Sequence, residues 1–371
     1  MKVLLEYNIP FKVASCQMLE SAYKSYNALM RRKVIYGAIT LAVLGLLGAN
    51  SGRLLDASAT PAATQQGFQF KEAPEGSLSL ITEPGAGIAP VLDMIENAST
   101  SIDLVMYQLE DTDVEQALAD ASARGVQVRV LLNEGYYGAA AKDNSDAYNF
   151  LTAHAVPVEW TPATFALTHQ KTLVTDDKEA LIMTFNFTPQ YYSSSRDFGI
   201  IDTDLADVAA IEQTFNADWL DVPIDAPQGD DLLWSPGSEP ETLALINAAT
   251  STLQIYNEEM ADGAVTSALE AAAERGVRVE VLMTYATDWK DSFQALKAAG
   301  VLVRTYAATA PLYIHAKMIL ADNATAFVGS ENFSSSSLDH NRELGLVLED
   351  PGVINQLNAQ FTQDWAGARP Y

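Results

Sequence analysis

The chain has 371 residues, 48% of them hydrophobic, enough for one large core or two packed ones and incompatible with a disordered chain. Of its 22 Lys and Arg and 48 Asp and Glu, 15 and 45 fall in residues 59–371, so the formal net charge of −26 belongs to the body. A field of that sign repels polyanions, which weighs against nucleic acid as a partner while leaving room for a small cationic pocket.

The N-terminal region reads as targeting sequence. Met30 is followed by Arg31-Arg32-Lys33 and an apolar run from Val34 to Ala49. A basic start, a short apolar core and small residues afterwards are the pattern of a secretory signal, and the run is shorter than the ~20 residues of a membrane span. Residues 30–58 are therefore expected to export the protein from the cell or into a periplasm; an anchor retained at residues 34–49 is the alternative. Residues 1–29 do not fit a signal, and Met30 is a candidate true start. The only cysteine, Cys16, precedes this segment, so the body is expected to hold no disulfide. Residues 59–77, rich in Ala, Thr, Pro and Gln, read as a flexible tether.

A repeat begins near Leu78. VLDMIENASTSIDLVMYQLED predicts a short helix and a strand over Ile102–Leu109, and VEQALADASARGVQVRVLLN a helix ended by Gly125 and a buried strand over Val126–Leu132. LALINAATSTLQIYNEEMAD and VTSALEAAAERGVRVEVLMT repeat that order, with Arg275-Gly276-Val277 displaced by 151 residues from Arg124-Gly125-Val126. Residues 78–222 and 241–371 are thus expected to be two similar halves joined by a linker at 223–240, rich in Pro, Asp and Gly. The first half is about five residues longer before its motif, which assigns the excess to the Gly135–Ser145 loop with Tyr136 and Tyr137. Strands alternating with helices predict α/β architecture, a mixed sheet flanked by helices in each half.

The most specific signal closes each unit. His169, Lys171, Asp176 and Asn186 stand at the same spacings as His315, Lys317, Asp322 and Asn332, each displaced by 146 residues. Arg196-Asp197 and Arg342-Glu343 follow at matching offsets, and so do the Asp-Trp pairs at 218–219 and 364–365. Five matched offsets in a chain with four histidines point to two halves of one catalytic site. On a strand, His and Lys two residues apart share a face, so imidazole and ammonium would reach one cavity.

This arrangement resembles the phospholipase D superfamily, whose signature is two copies of H-x-K-x4-D with a downstream G-[GS]-x-N, and the match extends over residues 78–367. The second copy is complete, ending in Gly329-Ser330-Glu331-Asn332; the first carries Met183-Thr184 where the Gly-Ser pair belongs. The resemblance implies two α/β sandwich halves packed with pseudo-two-fold symmetry. It also implies a two-step route without metal or other cofactor, in which one histidine attacks phosphorus and the other protonates the leaving alkoxide. It favours His169 as nucleophile and His315 as general acid and base, with the reverse assignment open. Two lysines and two asparagines can clamp the nonbridging oxygens of a phosphodiester. An acidic residue at the position of Asp197 and Glu343 orients the attacking imidazole in the resembled family; pairing with the adjacent arginine is the other possibility here. Asp176 and Asp322 are expected to be structural. His154, His340 and the serine runs 193–195 and 334–337 are expected outside the chemistry, the serines in turns or loops. Of Trp160, Phe165, Tyr191, Tyr192, Tyr306 and Tyr313, some are candidates to line a headgroup or acyl pocket.

The leading expectation is a phospholipase D-type phosphodiesterase that hydrolyses a phospholipid headgroup. A secreted nuclease of the same superfamily and a cardiolipin-synthase-like phosphatidyltransferase are the alternatives. The expected partners are a phospholipid substrate and a membrane in transient contact, with no obligate protein partner.

Overall fold

A computed structural model describes residue 74 and residues 76–135 and 143–371. The targeting region, most of the tether and Tyr136 and Tyr137 lie outside the described residues.

The first half runs β1 (Leu78–Glu83), α1 (Ala89–Asn97), β2 (Ser101–Met106), α2 (Thr112–Ala123), β3 (Gln127–Leu132), α3 (Ser145–Ala153), β4 (Val158–Trp160), β5 (Thr172–Thr175), β6 (Glu179–Met183), β7 (Ser195–Asp202) and α4 (Leu205–Trp219). The second runs β8 (Leu232–Ser235), α5 (Glu239–Ala248), β9 (Thr252–Tyr256), α6 (Gly263–Glu274), β10 (Arg278–Thr284), a 3-10 turn (Thr287–Trp289), α7 (Lys290–Ala298), β11 (Leu302–Tyr306), β12 (Tyr313–Ile314), β13 (Lys317–Ala321), β14 (Thr325–Gly329), α8 (Ser335–Asp339), β15 (Glu343–Leu348), α9 (Pro351–Gly367) and β16 (Arg369–Pro370).

The sheets have matching orders, β1-β7-β6-β5-β2-β3-β4 and β8-β15-β14-β13-β9-β10-β11, the second extended by β16. In each, three strands are parallel and the motif strands run antiparallel beside them. These are the two mixed-sheet α/β halves that the repeat predicts. The repeated Arg-Gly-Val ends α2 and α6 in the same way. Gly125 and Gly276 take φ of +95° and +93°, and the amides of Val126 and Val277 reach back to the carbonyls of Ala121 and Ala272. Asp111 and Asp262 cap the N-termini of the same two helices.

Each half has its own outer core under its helices, around Val91, Leu118 and Val130 in one and Val265, Leu269 and Val281 in the other. A third core lies between the sheets. Ile182, Phe198 and Ile200 meet Tyr256, Met318, Val328 and Leu344 there, closed by Ile211 of α4 and Leu357 and Phe361 of α9. Neither half could bury that face alone.

Three expectations need correction. Residues 223–240 are not all linker: Leu232–Ser235 form β8, the edge strand paired antiparallel with β15, and α5 starts at Glu239. The four-residue strand sits among Pro, Asp and Gly and shows no alternation, because all four residues are buried. The strand expected over Ile102–Leu109 leaves the sheet after Met106, which frees Tyr107 and Gln108 to line a cavity. The serines at 335–337 begin the short helix α8, capped by Ser334, and are not a turn.

Candidate active site

The motif strands β5–β6 and β13–β14 are hairpins whose turns need left-handed backbone. Asp176-Asp177 and Asp322-Asn323 take φ between +52° and +57°, as the central pair of a type I′ turn demands, and the amides of Lys178 and Ala324 close these turns on the carbonyls of Thr175 and Ala321. The first residue of each turn has a further task. Asp322 accepts hydrogen bonds from the amides of Thr250, Ser251 and Thr252 at 2.7–2.8 Å, and Asp176 does the same for Ser99, Thr100 and Ser101 at 2.7–3.1 Å. Burial pushes both carboxyls up, but these bonds outweigh it and hold them well below the usual carboxylate range. Both pin the entry to β2 or β9, and neither lines the cavity.

His169 and His315 stand just before the motif strands rather than on them, which corrects the expectation of a shared strand face. Each backbone is held by the opposite half. The amides of His169 and Gln170 donate to the carbonyl of Arg342, and those of His315 and Ala316 to the carbonyl of Arg196. The side chains repeat the exchange: His169 Nδ1 lies 2.9 Å from Glu343 Oε2, and His315 Nδ1 2.7 Å from Asp197 Oδ1. The acidic residue of each motif thus orients the imidazole of the other. The arginines do not pair with their acidic neighbours. Arg342 grips Asp218 with two bonds of 2.9 Å, and Arg196 grips Asp364 at 2.6 and 3.1 Å, again across halves. The repeated Asp-Trp pairs supply those two aspartates.

Both histidines line one cavity of about 750 Å³, with Asn186, Asn332, Tyr107, Gln108, Tyr191, Tyr192, Tyr313 and Trp289 on its wall. The amide oxygens of Asn186 and Asn332 are buried without a hydrogen-bond partner among the described residues, which leaves both amides free to turn toward a ligand. Lys171 and Lys317 lie beneath the floor, essentially unexposed, each ammonium donating to the carbonyl of its own histidine. Burial, reinforced by Lys317 and opposed by Glu343, pushes Lys171 down to about 7. Burial likewise lowers His169, with both lysines acting in the same sense against Glu343. For Glu343, burial acts upward, but His169 and Lys171 prevail and keep it ionised. Amide and imidazole groups around one space, above two buried ammonium groups, have the chemistry to hold a phosphodiester anion.

The departure in the first motif has a steric cause. A side chain at Gly329 would press on the backbone of Gly345 and the ring of Phe327, 2.5 and 2.8 Å from its Cβ. At the place of Phe327 the first half has the smaller Leu181, beside Gly199, and there Met183 fits. Thr184 keeps its polar task, donating to Asp197 at 2.6 Å.

Several residues escaped the sequence reading. Ser337 and Asn341 donate to Glu343 at 2.6 and 3.0 Å, so one of the serines set aside braces the acid behind His169. Glu258 enters the cavity beside His315 and Lys317, at 3.4 and 3.2 Å. Of the aromatics, Tyr191, Tyr192 and Tyr313 line the cavity. Trp160 stacks on Tyr148, Phe165 packs against Arg342, and Tyr306 donates to the Asp364 carbonyl. His154 caps α3 and His340 ends α8, both away from the cavity.

A family model described as cardiolipin synthase, PLD-like domain, matches residues 91–219 and 242–365. Cardiolipin synthase A of Pseudomonas syringae pv. syringae is 32% identical over 189 residues, 44% of this chain and 39% of that protein. Cardiolipin synthase 2 of Bacillus anthracis is 24% identical over 321 residues, 74% of this chain and 62% of that one. The chain therefore spans less than two thirds of the length of either relative. The crystal structure of phosphatidylserine synthase from Haemophilus influenzae Rd KW20 superposes with a TM-score of 0.64 at 14% identity, covering 81% of this chain and 89% of that one, which is a likeness of fold.

Proposed function

The chain belongs to the phospholipase D superfamily, in the family of cardiolipin synthase PLD-like domains, and from that premise we propose that it is a phosphatidyltransferase. It moves a phosphatidyl group from one alcohol to another through a phosphohistidine. The expected headgroup hydrolysis yields to transfer because both halves match the cardiolipin synthase domain and the relatives bear that name. The observation that carries the reading is a single cavity lined by both histidines and both asparagines.

His169 donates its Nδ1 proton to Glu343, and burial keeps its ring neutral, so the Nε2 lone pair is available for attack on phosphorus. His315, oriented by Asp197, protonates the leaving alkoxide and then takes the proton of the incoming hydroxyl. The asparagines and the buried lysines stabilise the charge on the nonbridging oxygens. Carboxylates at the cavity, among them Glu83, Glu258, Glu259 and Asp288, disfavour a polyanionic strand and thus the nuclease alternative. We further propose that residues 30–58 deliver the body to or across a membrane, where it contacts lipid transiently.

The test uses vesicles of phosphatidylglycerol, whose headgroup is itself an alcohol acceptor. Transfer yields cardiolipin and free glycerol, whereas phosphatidic acid as the sole product would restore the hydrolase reading. His169→Ala and His315→Ala should each lower turnover by at least about a hundredfold, and His154→Ala should leave it unchanged.

A further inference from the structure

The two halves depart from symmetry at the point where each histidine meets the cavity. At the 151-residue displacement that relates Arg124-Gly125-Val126 to Arg275-Gly276-Val277, Tyr107 corresponds to Glu258. Backbone bridges confirm this register: Leu109 pairs with Phe187 in one half as Met260 pairs with Phe333 in the other. The two residues do different things. Tyr107 meets the His169 ring edge-on, with centroids 4.6 Å apart, and its face lies 5.2 Å from the Lys171 ammonium. Glu258 instead sets Oε2 at 3.4 Å from His315 Nε2 and 3.2 Å from Lys317 Nζ, and its other oxygen accepts from the Tyr313 hydroxyl at 2.9 Å.

An ionised carboxylate can only accept hydrogen bonds. His315 therefore stands between two carboxylates, Asp197 hydrogen-bonded at Nδ1 and Glu258 within ion-pair distance of Nε2 at 3.4 Å. Both are satisfied together only when the ring carries a proton on each. Among the described residues, His169 has a carboxylate within 4 Å at Nδ1 alone. The carboxylate surroundings of the two imidazoles thus differ at Nε2, the nitrogen that faces the substrate.

We propose that Glu258 is a positioning residue that divides the labour between the histidines, presenting His315 as the proton donor while Tyr107 leaves His169 as the nucleophile. The inference rests on the phosphatidyl-transfer reading above and deepens it. The His169 Nε2 lone pair forms the N–P bond as the P–O bond to the leaving alcohol breaks. That oxygen takes the Nε2 proton of His315, displacing Glu258 as its acceptor. In the second step, His315 Nε2 takes the proton from the acceptor hydroxyl. The acceptor oxygen then bonds to phosphorus, and the N–P electron pair returns to His169. Net proton change is zero, and Glu258 again accepts from the recharged ring. The long contact of 3.4 Å suits a partner that must give way in each cycle.

The experiment compares two substrates and locates the intermediate. Glu258→Gln keeps the shape of the side chain but not its charge. It should lose about a hundredfold in turnover of phosphatidylglycerol, whose alkoxide needs a proton, and less than about fivefold with a phosphatidyl-p-nitrophenol ester, whose leaving group departs as a stable anion. Equal losses on the two substrates would mean a structural role and overturn the proposal. Acid-free quenching of the wild-type protein, followed by peptide mass spectrometry, should place the phosphoryl group on His169. Finding it on His315 would overturn the proposal even if the variant fails to fold. A wild-type protein that forms no phosphohistidine and turns over neither ester would remove the transfer reading itself, a result distinct from either of these.

Discussion

Charge at the base of the cavity is finely opposed, and this has a consequence for pH. His169 must be neutral to attack, and burial lowers its affinity for a proton from the ordinary value of 6.5. Activity should therefore fall on the acid side only below about pH 6.5. Lys171 must be charged to draw in a phosphodiester, yet burial pushes it down to about 7, so its charge is lost as pH rises through that value. The profile of kcat/KM, which reports the free enzyme, should be a bell whose alkaline limb lies near pH 7 and whose acid limb lies below 6.5. An alkaline limb lying above pH 9 would sink the role given to Lys171. The histidines, lysines and asparagines were all legible in the sequence, because matched offsets in a His-poor chain are improbable by chance. Glu258 was not. It sits outside the motif, and its oddity shows only when the halves are aligned by 151 residues instead of the 146 that align the histidines.

At the scale of strands and hairpins, the two motif copies solve one packing problem in two ways. In the second half Phe327 fills the space under the sheet, and Gly329 and Gly345 make room for its ring. A methyl group at Gly329 has nowhere to go, since its nearest obstacle of fixed position is the Gly345 backbone at 2.5 Å. Gly329→Ala should cost about 1–3 kcal/mol in urea unfolding. Gly263→Ala, in the first turn of α6 with open space around its added Cβ, should be neutral or gain up to about 1 kcal/mol. Equal effects at the two sites would show that crowding is not the reason for the motif glycine. The sequence displays the Met183 substitution but not its licence, which is the exchange of Phe327 for Leu181 on the neighbouring pleat. The strand β8 was hidden for a related reason. Its four residues gain their burial from β15, more than a hundred positions away, and carry no periodicity of their own.

For the molecule as a whole, the decisive feature is exchange. Each histidine takes its backbone anchor and its carboxylate from the other half, and each motif arginine closes on the other half's terminal helix. A repeat seen in sequence pairs each motif with its own surroundings, so two halves could be anticipated and their crossed dependence could not. The middle core of Phe198, Tyr256, Met318 and Leu344 belongs to both halves, so the body should unfold in urea as one cooperative transition. The Arg342–Asp218 pair allows the coupling to be measured, because both side chains are nearly fully buried and doubly bonded. Removing one partner strands a charge away from water. Arg342→Met or Asp218→Leu alone should thus each cost about 3–5 kcal/mol, while the double replacement should cost clearly less than the sum. The single variants should also lose turnover, since the Arg342 carbonyl fixes the backbone of His169. Additive losses, or two separate unfolding steps, would mean that the halves are merely adjacent and that the site does not depend on their exchange.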